Sequence, residues 1–187
     1  MKKLLLASLL FVAPTTISTA STADYILDIE GMHASINFRA KHIGISWLTG
    51  RFDKFDGKFS FDESNPATSK VTVDIDVRSV NTNHAMRDKH LSEERLLNVE
   101  EHPMARFEST SIEVTGDDTG LIHGNLTLNG VTKPLTLNAK HTGGGDDPWG
   151  GFRHGFEATA AIVTADHGYT FEYGDVMLDI YVEGIRQ

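Results

Sequence analysis

The chain has no cysteine among its 187 residues. Disulfide bonds, thiolate metal sites, a cysteine nucleophile and a lipid-modified N-terminal cysteine are therefore excluded. Positive charge is also scarce, because 17 Lys and Arg stand against 26 Asp and Glu, for a formal net charge of −9. This balance argues against sequence-independent binding of nucleic acid, which needs a basic face for the phosphates. The length favours one domain with a sizeable core.

Long hydrophobic runs are missing as well. Residues 4–13 form an apolar run of ten residues, which is too short for a helix to cross a membrane core of about 30 Å, and no later segment is apolar enough to span one. Two lysines precede this run, and Ser-Thr-Ala at 18–20 fits a small-x-small cleavage signal. We predict a signal peptide over residues 1–20, cleaved after Ala20 or Ala23, and hence a periplasmic protein without stable membrane insertion. Its removal would change the formal charge to −11.

Residues that alternate between apolar and polar occupy most of the remaining chain. In the clearest case Val71, Val73, Ile75 and Val77 alternate with polar residues, the period-two pattern of a half-buried strand. Residues 124–141 predict a hairpin, because Asn-Gly at 129–130 suits a two-residue turn. Further strands are predicted at 34–42, at 105–114 with a phase break near 109–111, at 156–162 and at 176–182. Asp-Gly at 56–57 predicts a turn, and the glycine-rich residues 142–151 predict an irregular loop.

Eight or nine sequential strands with one apolar face predict an all-β domain. Such a sheet must close on itself or pair with another sheet. A barrel of about eight antiparallel strands and a two-sheet sandwich both fit the pattern. One short helix is predicted at 92–98, with Ser92 as its N-cap, where it would lie near a barrel opening. The pattern does not distinguish a packed barrel from a hollow one.

The residues offer few signs of catalytic or metal chemistry. Nine histidines are present, but no two have the spacing of a helical metal site, and there is no Gly-x-Ser-x-Gly motif. We therefore predict no metal, no cofactor and no catalytic residue. The polar segment 82–91 contains Arg87, Lys89 and two histidines. It predicts either cations at a barrel mouth that meet an anionic headgroup, or local salt bridges between Arg87 and Asp88 that order a loop.

Several motifs, taken in order along the chain, are similar to those of the YceI-like family of secreted bacterial proteins. They include Thr-Asn-His at 82–84, Arg-Asp-Lys-His-Leu at 87–91, and Gly-Asn-Leu-Thr-Leu-Asn-Gly-Val-Thr-Lys-Pro at 124–134. His33, His42, Trp47 and Asp-Asp-Pro-Trp-Gly-Gly at 146–151 extend the resemblance over nearly the whole of residues 24–187.

This resemblance implies a single lipocalin-like antiparallel barrel of eight strands over residues 24–187, with an apolar tunnel for polyisoprenoids or other long-chain amphiphiles. Arg87, Asp88 and His90 would then lie near the opening. The side chains expected to line the tunnel are Ile36, Phe38, His42, Phe52, Phe59, Val73, Ile75, Phe107, Leu126, Leu128, Phe156 and Ile180.

The leading hypothesis is a periplasmic carrier that holds one long-chain apolar lipid and acts as a monomer or homodimer. A second hypothesis is a lipid hydrolase or isomerase that uses the same cavity, with His42 or His90 as base. A third is a closed-core barrel, induced by stress, that binds another protein. A ligand in the interior would separate the first hypothesis from the third, and turnover would separate the first from the second.

Overall fold

The computed structural model describes residues 22–169 and 174–187. The predicted signal peptide at 1–20 lies outside these residues. The described part contains eleven strands, one α-helix and three short 3-10 helices. The strands are β1 (Ala23–Leu27), β2 (Ser35–His42), β3 (Ser46–Phe52), β4 (Phe55–Phe61), β5 (Lys70–Asp76), β6 (Val80–Asn81), β7 (Met104–Val114), β8 (Thr119–Leu128), β9 (Val131–Asp146), β10 (Phe152–Ile162) and β11 (Val176–Arg186). The helix is α1 (Ala85–Leu91), and the 3-10 helices are Pro66–Thr68, Val77–Ser79 and Thr164–His167.

Eight strand positions close into one antiparallel barrel. β1 and β2 are consecutive in the chain and together fill one strand position of the barrel, and β3 and β4 together fill the next. In these two positions, β1 pairs with β4 and β2 pairs with β3. β5, β7, β8, β9, β10 and β11 then follow in chain order. β11 pairs with β2 around Leu178 and with β1 around Ile185, and these ladders close the ring. The predicted eight-stranded barrel is therefore confirmed, and the two-sheet sandwich is wrong.

The alternating segments form strands where the sequence predicts them, including the hairpin of β8 and β9. Asn129 and Gly130 take the positive φ angles that this turn requires, 51° and 71°. The predicted phase break in β7 is a shift of register between Ser109 and Ser111.

The turn predicted at Asp56-Gly57 is wrong, and the irregular loop predicted at 142–151 begins only after Asp146. Asp56 and Gly57 lie inside β4, where they pair with Asp74 and Val73 of β5. The chain bends earlier, at Asp53 and Lys54, because Ser79 accepts hydrogen bonds from both of their N–H groups. β9 continues through the glycine run as far as Asp146, since β10 pairs with it there.

The short helix lies earlier in the chain than predicted. α1 covers Ala85–Leu91, so the prediction of a helix at 92–98 is wrong in position. Asp88 Oδ1 accepts hydrogen bonds from the N–H and the hydroxyl of Thr82, at 2.8 and 2.5 Å, and these bonds tie the first turn to the strand before it. Ser92, the predicted N-cap, instead ends the helix, because its hydroxyl donates to the Asp88 carbonyl at 2.9 Å.

The inward faces of the strands form the apolar interior. Its largest cluster of buried residues draws on β2, β5, β7, β8, β9, β10 and β11, together with Val77, which is 1% exposed. A second cluster, around Tyr25, Leu27 and Phe59, lies where β1 pairs with β4. Within the described residues, no helix has both the length and the apolar character needed to cross a membrane.

Candidate functional site

Two cavities lie inside the barrel. The helix-side cavity, of about 430 Å³, reaches α1. The far cavity, of about 360 Å³, extends away from α1. Both are lined mainly by aliphatic and aromatic side chains, and each volume falls within the range of roughly 300–1,000 Å³ that is typical of ligand pockets. The barrel is therefore hollow, which the alternation of residues alone left open.

The two cavities follow each other along the barrel axis. On β11, Val176 lines the helix-side cavity, Leu178 lines both cavities, and Ile180 and Val182 line the far cavity. From Val176 to Val182 this wall covers about 20 Å of strand, at about 3.3 Å per residue. The side chains that line both cavities form what we call the waist, namely Ile36, Ile75, Leu126 and Leu178.

Basic side chains gather at the outer end of the helix-side cavity. Lys41, His42, Arg87 and His90 line this helix-side mouth, and none of the described residues lining the cavity is Asp or Glu. The Arg87 guanidinium is held in place by hydrogen bonds to the hydroxyl and carbonyl oxygens of Thr82, both at 2.7 Å. The chain as a whole is acidic, so this group of basic side chains differs in sign from the net charge of the protein.

The far mouth has the opposite charge. Four carboxylates line it together with two basic side chains, Lys70 and His141, and one of the carboxylates, Glu157, forms an ion pair with Lys140 at 3.2 Å. The carboxylates are Glu63, Asp117, Asp118 and Glu157. The interior therefore joins two ends of opposite sign through an apolar middle.

A pair of histidines lies beside the far cavity. His141 Nε2 and His154 Nδ1 are 2.9 Å apart, so one ring donates a hydrogen bond to the other. The His154 side chain is buried, and burial together with the neighbouring His141 lowers the pKa of His154 below its ordinary value. Phe61 and Phe156 pack against both rings. The Glu63 carboxylate lies 3.4 Å from His154 Nε2, so the pair adds hydrogen-bonding groups to the polar end of the far cavity.

Sequence reasoning missed the histidine pair, although a signal was present. His141 has the same strand phase as Leu137 and Ala139, and His154 has the same phase as Phe156, so alternation alone directs both rings inward. The glycine run of β9 makes room for the pair, because a Cβ atom at Gly144 would overlap the His154 ring.

The aromatic rings of the wall also depend on a close approach to glycine. Phe38 lies directly across from Gly50 in the ladder between β2 and β3. A Cβ atom at Gly50 would overlap the Phe38 ring. The ring therefore lies over the bare backbone of the next strand, which leaves more of the helix-side cavity open.

A polar network on the outer wall holds two loops. Arg153 contacts the carboxylates of Asp28, Asp147 and Glu183 at 2.5, 2.8 and 2.6 Å. The hydrogen bond from His33, at 2.8 Å, and the contact with Arg153 lower the pKa of the buried Asp28 to about 2. His33 and Asp147, which belong to the motifs that carry the family resemblance, thus have structural partners in this network.

The same network brings together three side chains of the kinds that bind metals, Asp28, His33 and Glu183. Arg153 Nη1 contacts both carboxylates of this set. A guanidinium already supplies the positive charge that a metal ion would bring, so these residues do not fit a metal site.

All twelve side chains predicted to line a tunnel line one or both cavities. Their contact with a ligand stays a prediction. The helix-side cavity takes Phe38, His42, Phe52 and Leu128; the far cavity takes Phe59, Val73, Phe107, Phe156 and Ile180; and Ile36, Ile75 and Leu126 line both. Of the three residues predicted at the mouth, Arg87 and His90 line it, whereas Asp88 does not and instead holds Thr82.

The two histidines considered as catalytic bases both lie at the helix-side mouth. Within the described residues, no Ser or Thr hydroxyl is hydrogen-bonded to His42 or His90. His90 instead contacts the guanidinium of Arg95 and lies 3.9 Å from Glu93. The geometry therefore does not assemble a nucleophile with its base at this mouth.

Comparison with known proteins gives consistent results. The chain matches the model of the YceI-like domain over residues 27–183. Protein YceI from Salmonella arizonae is 54% identical over 186 residues, which cover 97% of this chain and 95% of that protein.

Solved structures share the fold. A YCEI protein from Campylobacter jejuni superposes with a TM-score of 0.71 at 28% identity, over 79% of this chain and 90% of that one. A structure described as a polyisoprenoid binding domain from Saccharophagus degradans superposes with a TM-score of 0.61 at 18% identity, over 89% of this chain and 100% of that one. The matched domain spans most of the barrel, and more than half of the residues aligned with the Salmonella protein are identical, so the chain belongs to the YceI-like family.

Proposed function

We propose that this protein binds one long-chain apolar lipid, a polyisoprenoid or a fatty amphiphile, and carries it inside the barrel. The observation that carries the proposal is the pair of apolar cavities that meet at the waist. Each buried CH₂ group contributes about 0.8 kcal/mol, so a chain that crosses both cavities gains affinity without directional contacts. The structural similarity to a polyisoprenoid binding domain supports this class of ligand.

The charges at the two ends support one orientation of the lipid. An anionic headgroup, such as a phosphate, would meet Arg87, Lys41, His42 and His90 at the helix-side mouth. At the far mouth it would meet four carboxylates. The tail would therefore run from the helix-side mouth across the waist toward the far cavity.

The test is a series of isoprenoid phosphates of increasing length, measured by native mass spectrometry and by ligand-induced stabilisation. Wild-type affinity should rise with chain length beyond the length that one cavity can hold, because the extra groups cross the waist. No binding at any length would contradict the proposal, and so would an affinity that stops rising once one cavity is filled.

Leu126→Phe at the waist gives a sharper form of this test. The larger side chain should remove the advantage of long lipids and leave the binding of short ones. Retained binding of short lipids would also show that the variant is folded. Thr127→Phe, the neighbouring residue on the opposite face of β8, is the matched control and should behave like wild type.

We further propose that the protein acts in the periplasm after loss of residues 1–20. Cleavage after Ala20 would leave β1 whole, whereas cleavage after Ala23 would remove the residue that pairs with Phe61. Cell fractionation and the intact mass of the native protein test this proposal. A chain that keeps residues 1–20 in the cytoplasm would contradict it.

A further inference from the structure

Exposed apolar side chains surround the helix-side mouth. In the turn between β2 and β3, Ile43 is 60% exposed and Ile45 is 79% exposed. On α1, Met86 is 73% exposed. These positions adjoin the mouth, because Ile43 follows His42 and Met86 precedes Arg87, and both of those residues line it. Val163, also exposed, lies between two further residues of the same cavity lining, Ile162 and Thr164.

The backbone at Ile43 makes this exposure harder to explain by folding alone. Ile43 has a φ of 46°, in the left-handed region that β-branched residues rarely adopt. Asn or Gly would take this turn with less strain, as Asn129 and Gly130 do in the hairpin of β8 and β9. The turn therefore presents an isoleucine to solvent at a cost both in backbone strain and in exposed apolar surface.

The charge of the mouth indicates what these side chains would meet. Lys41 and Arg87 line it, and neither lies within ion-pair distance of a carboxylate among the described residues. Exposed apolar side chains beside basic ones suit the interface of an anionic bilayer. The apolar side chains would enter the boundary between headgroups and acyl chains, and the basic side chains would stay among the headgroups. The far mouth, with its four carboxylates, lacks this complementarity.

We propose that the helix-side mouth docks on anionic membrane surfaces through Ile43, Ile45 and Met86, and that lipid enters and leaves the barrel there. The inference rests on the proposed function, since a carrier must exchange its lipid with a bilayer. Docking through this mouth brings the opening of the helix-side cavity against the membrane, so the lipid tail need not cross water.

The experiment is flotation of the full mature protein with vesicles of phosphatidylcholine, with or without phosphatidylglycerol. Wild type should float with the anionic vesicles, and its binding should weaken as salt rises. Ile43→Asn/Ile45→Ser should bind at least about ten-fold more weakly, because burial of even one isoleucine side chain contributes more than that factor. Asparagine suits the positive φ at position 43, so the variant should be no less stable in unfolding.

Met32→Asn is the matched control. Met32 is 76% exposed and has a φ of 59°, but it lies in the loop between β1 and β2 and lines neither cavity. This variant should float like wild type. Absence of wild-type flotation would overturn the proposal, and the face would then suit a protein partner. Equal flotation of Ile43→Asn/Ile45→Ser and wild type would also overturn it.

Lipid binding in detergent-free solution distinguishes this inference from the proposed function. The Ile43→Asn/Ile45→Ser variant should bind short isoprenoid phosphates as wild type does. If wild type binds these lipids and does not float, the proposed membrane docking is wrong and the proposed lipid binding is retained. If wild type floats and binds no lipid at any length, the carrier is wrong.

Discussion

Gly50 shows how one missing side chain shapes the cavity. An alanine there would push the Phe38 ring toward the interior, and overpacking of this kind costs about 1–3 kcal/mol. We expect Gly50→Ala to lower the free energy of unfolding by that amount and to weaken binding of the longest lipids. Phe38→Leu in the same chain should recover part of both losses, because it removes the overlapping ring atoms. Urea unfolding of the double-mutant cycle measures the coupling.

Gly145→Ala is the control for this cycle, since nothing lies within 4 Å of the Cβ atom it would add. It should change neither unfolding nor lipid binding. A Gly50→Ala variant as stable as wild type, or an additive cycle, would show that the ring does not depend on the glycine.

Asp28 stabilises the fold at neutral pH, and this contribution is lost at low pH. Its pKa is about 2 in the folded protein, mainly because of the hydrogen bond from His33, against about 3.9 in an unfolded chain. A depressed carboxyl pKa stabilises the fold fully above the unfolded value, and this stability is lost as the pH falls toward 2. The contribution is worth about 2–3 kcal/mol at neutral pH.

We therefore expect Asp28→Asn to be less stable than wild type at neutral pH by roughly that amount. The difference should shrink as the pH falls from about 4 to about 2. Chemical unfolding at a series of pH values measures it. Asp146→Asn, at an exposed aspartate without an ion pair among the described residues, should change the stability much less than Asp28→Asn does. A constant gap for Asp28→Asn would contradict this account.

At the scale of elements, strands were easier to predict than the helix. Alternation is a local property, so it located β2, β5 and the hairpin of β8 and β9 correctly. The position of α1 depends on Thr82 and Asp88, which are six residues apart and meet only once the chain has turned. Ser92 followed by two acids has the composition of an N-cap, but the folded chain uses its hydroxyl at the other end of the helix.

The contrast between Thr82 and Ser92 yields a prediction for α1. Thr82→Val removes a hydroxyl that contacts both Asp88 and Arg87, which should cost about 1–3 kcal/mol and speed amide hydrogen exchange over Ala85–Leu91. Ser92→Ala should cost less, because its hydroxyl serves only one carbonyl. A larger loss of stability for Ser92→Ala than for Thr82→Val would favour a helix that begins at Ser92, as the sequence predicts.

For the molecule as a whole, alternation predicted a closed or paired sheet, whereas the choice of a barrel with an apolar tunnel came from the family resemblance. The same alternation of residues is compatible with a filled and with an open interior, because the bore depends on the tilt and stagger of all the strands together. The inward residues could be named from phase, as the twelve lining side chains show. The stacking of two cavities, and the meeting of His141 with His154, required the ring to be closed.

The orientation of the lipid is a prediction at this scale, and the two tryptophans can report it. Trp47 lies near the start of β3 on the outer face of the barrel, next to Lys41 of the helix-side mouth. The Lys41 Nζ lies 4.1 Å from the Trp47 ring. Trp149 comes just before the first residue of β10, whereas Ile162, which lines the helix-side cavity, is the last residue of that strand. A lipid with a fluorescence quencher at its headgroup should quench Trp47 in Trp149→Phe far more than Trp149 in Trp47→Phe. Equal quenching, or the reverse order, would show that the lipid does not lie head-first at α1.

The basic side chains at one mouth and the carboxylates at the other create a charge asymmetry along the bore. Near a negative surface, we expect the net charge to repel the protein and this asymmetry to rotate it, so that the helix-side mouth faces the surface. Added salt should therefore slow productive encounters by weakening the torque, because potentials decay over about 8 Å at physiological ionic strength. We therefore expect the rate of lipid loading to depend on the orientation of the protein before contact as well as on the contacts made after docking.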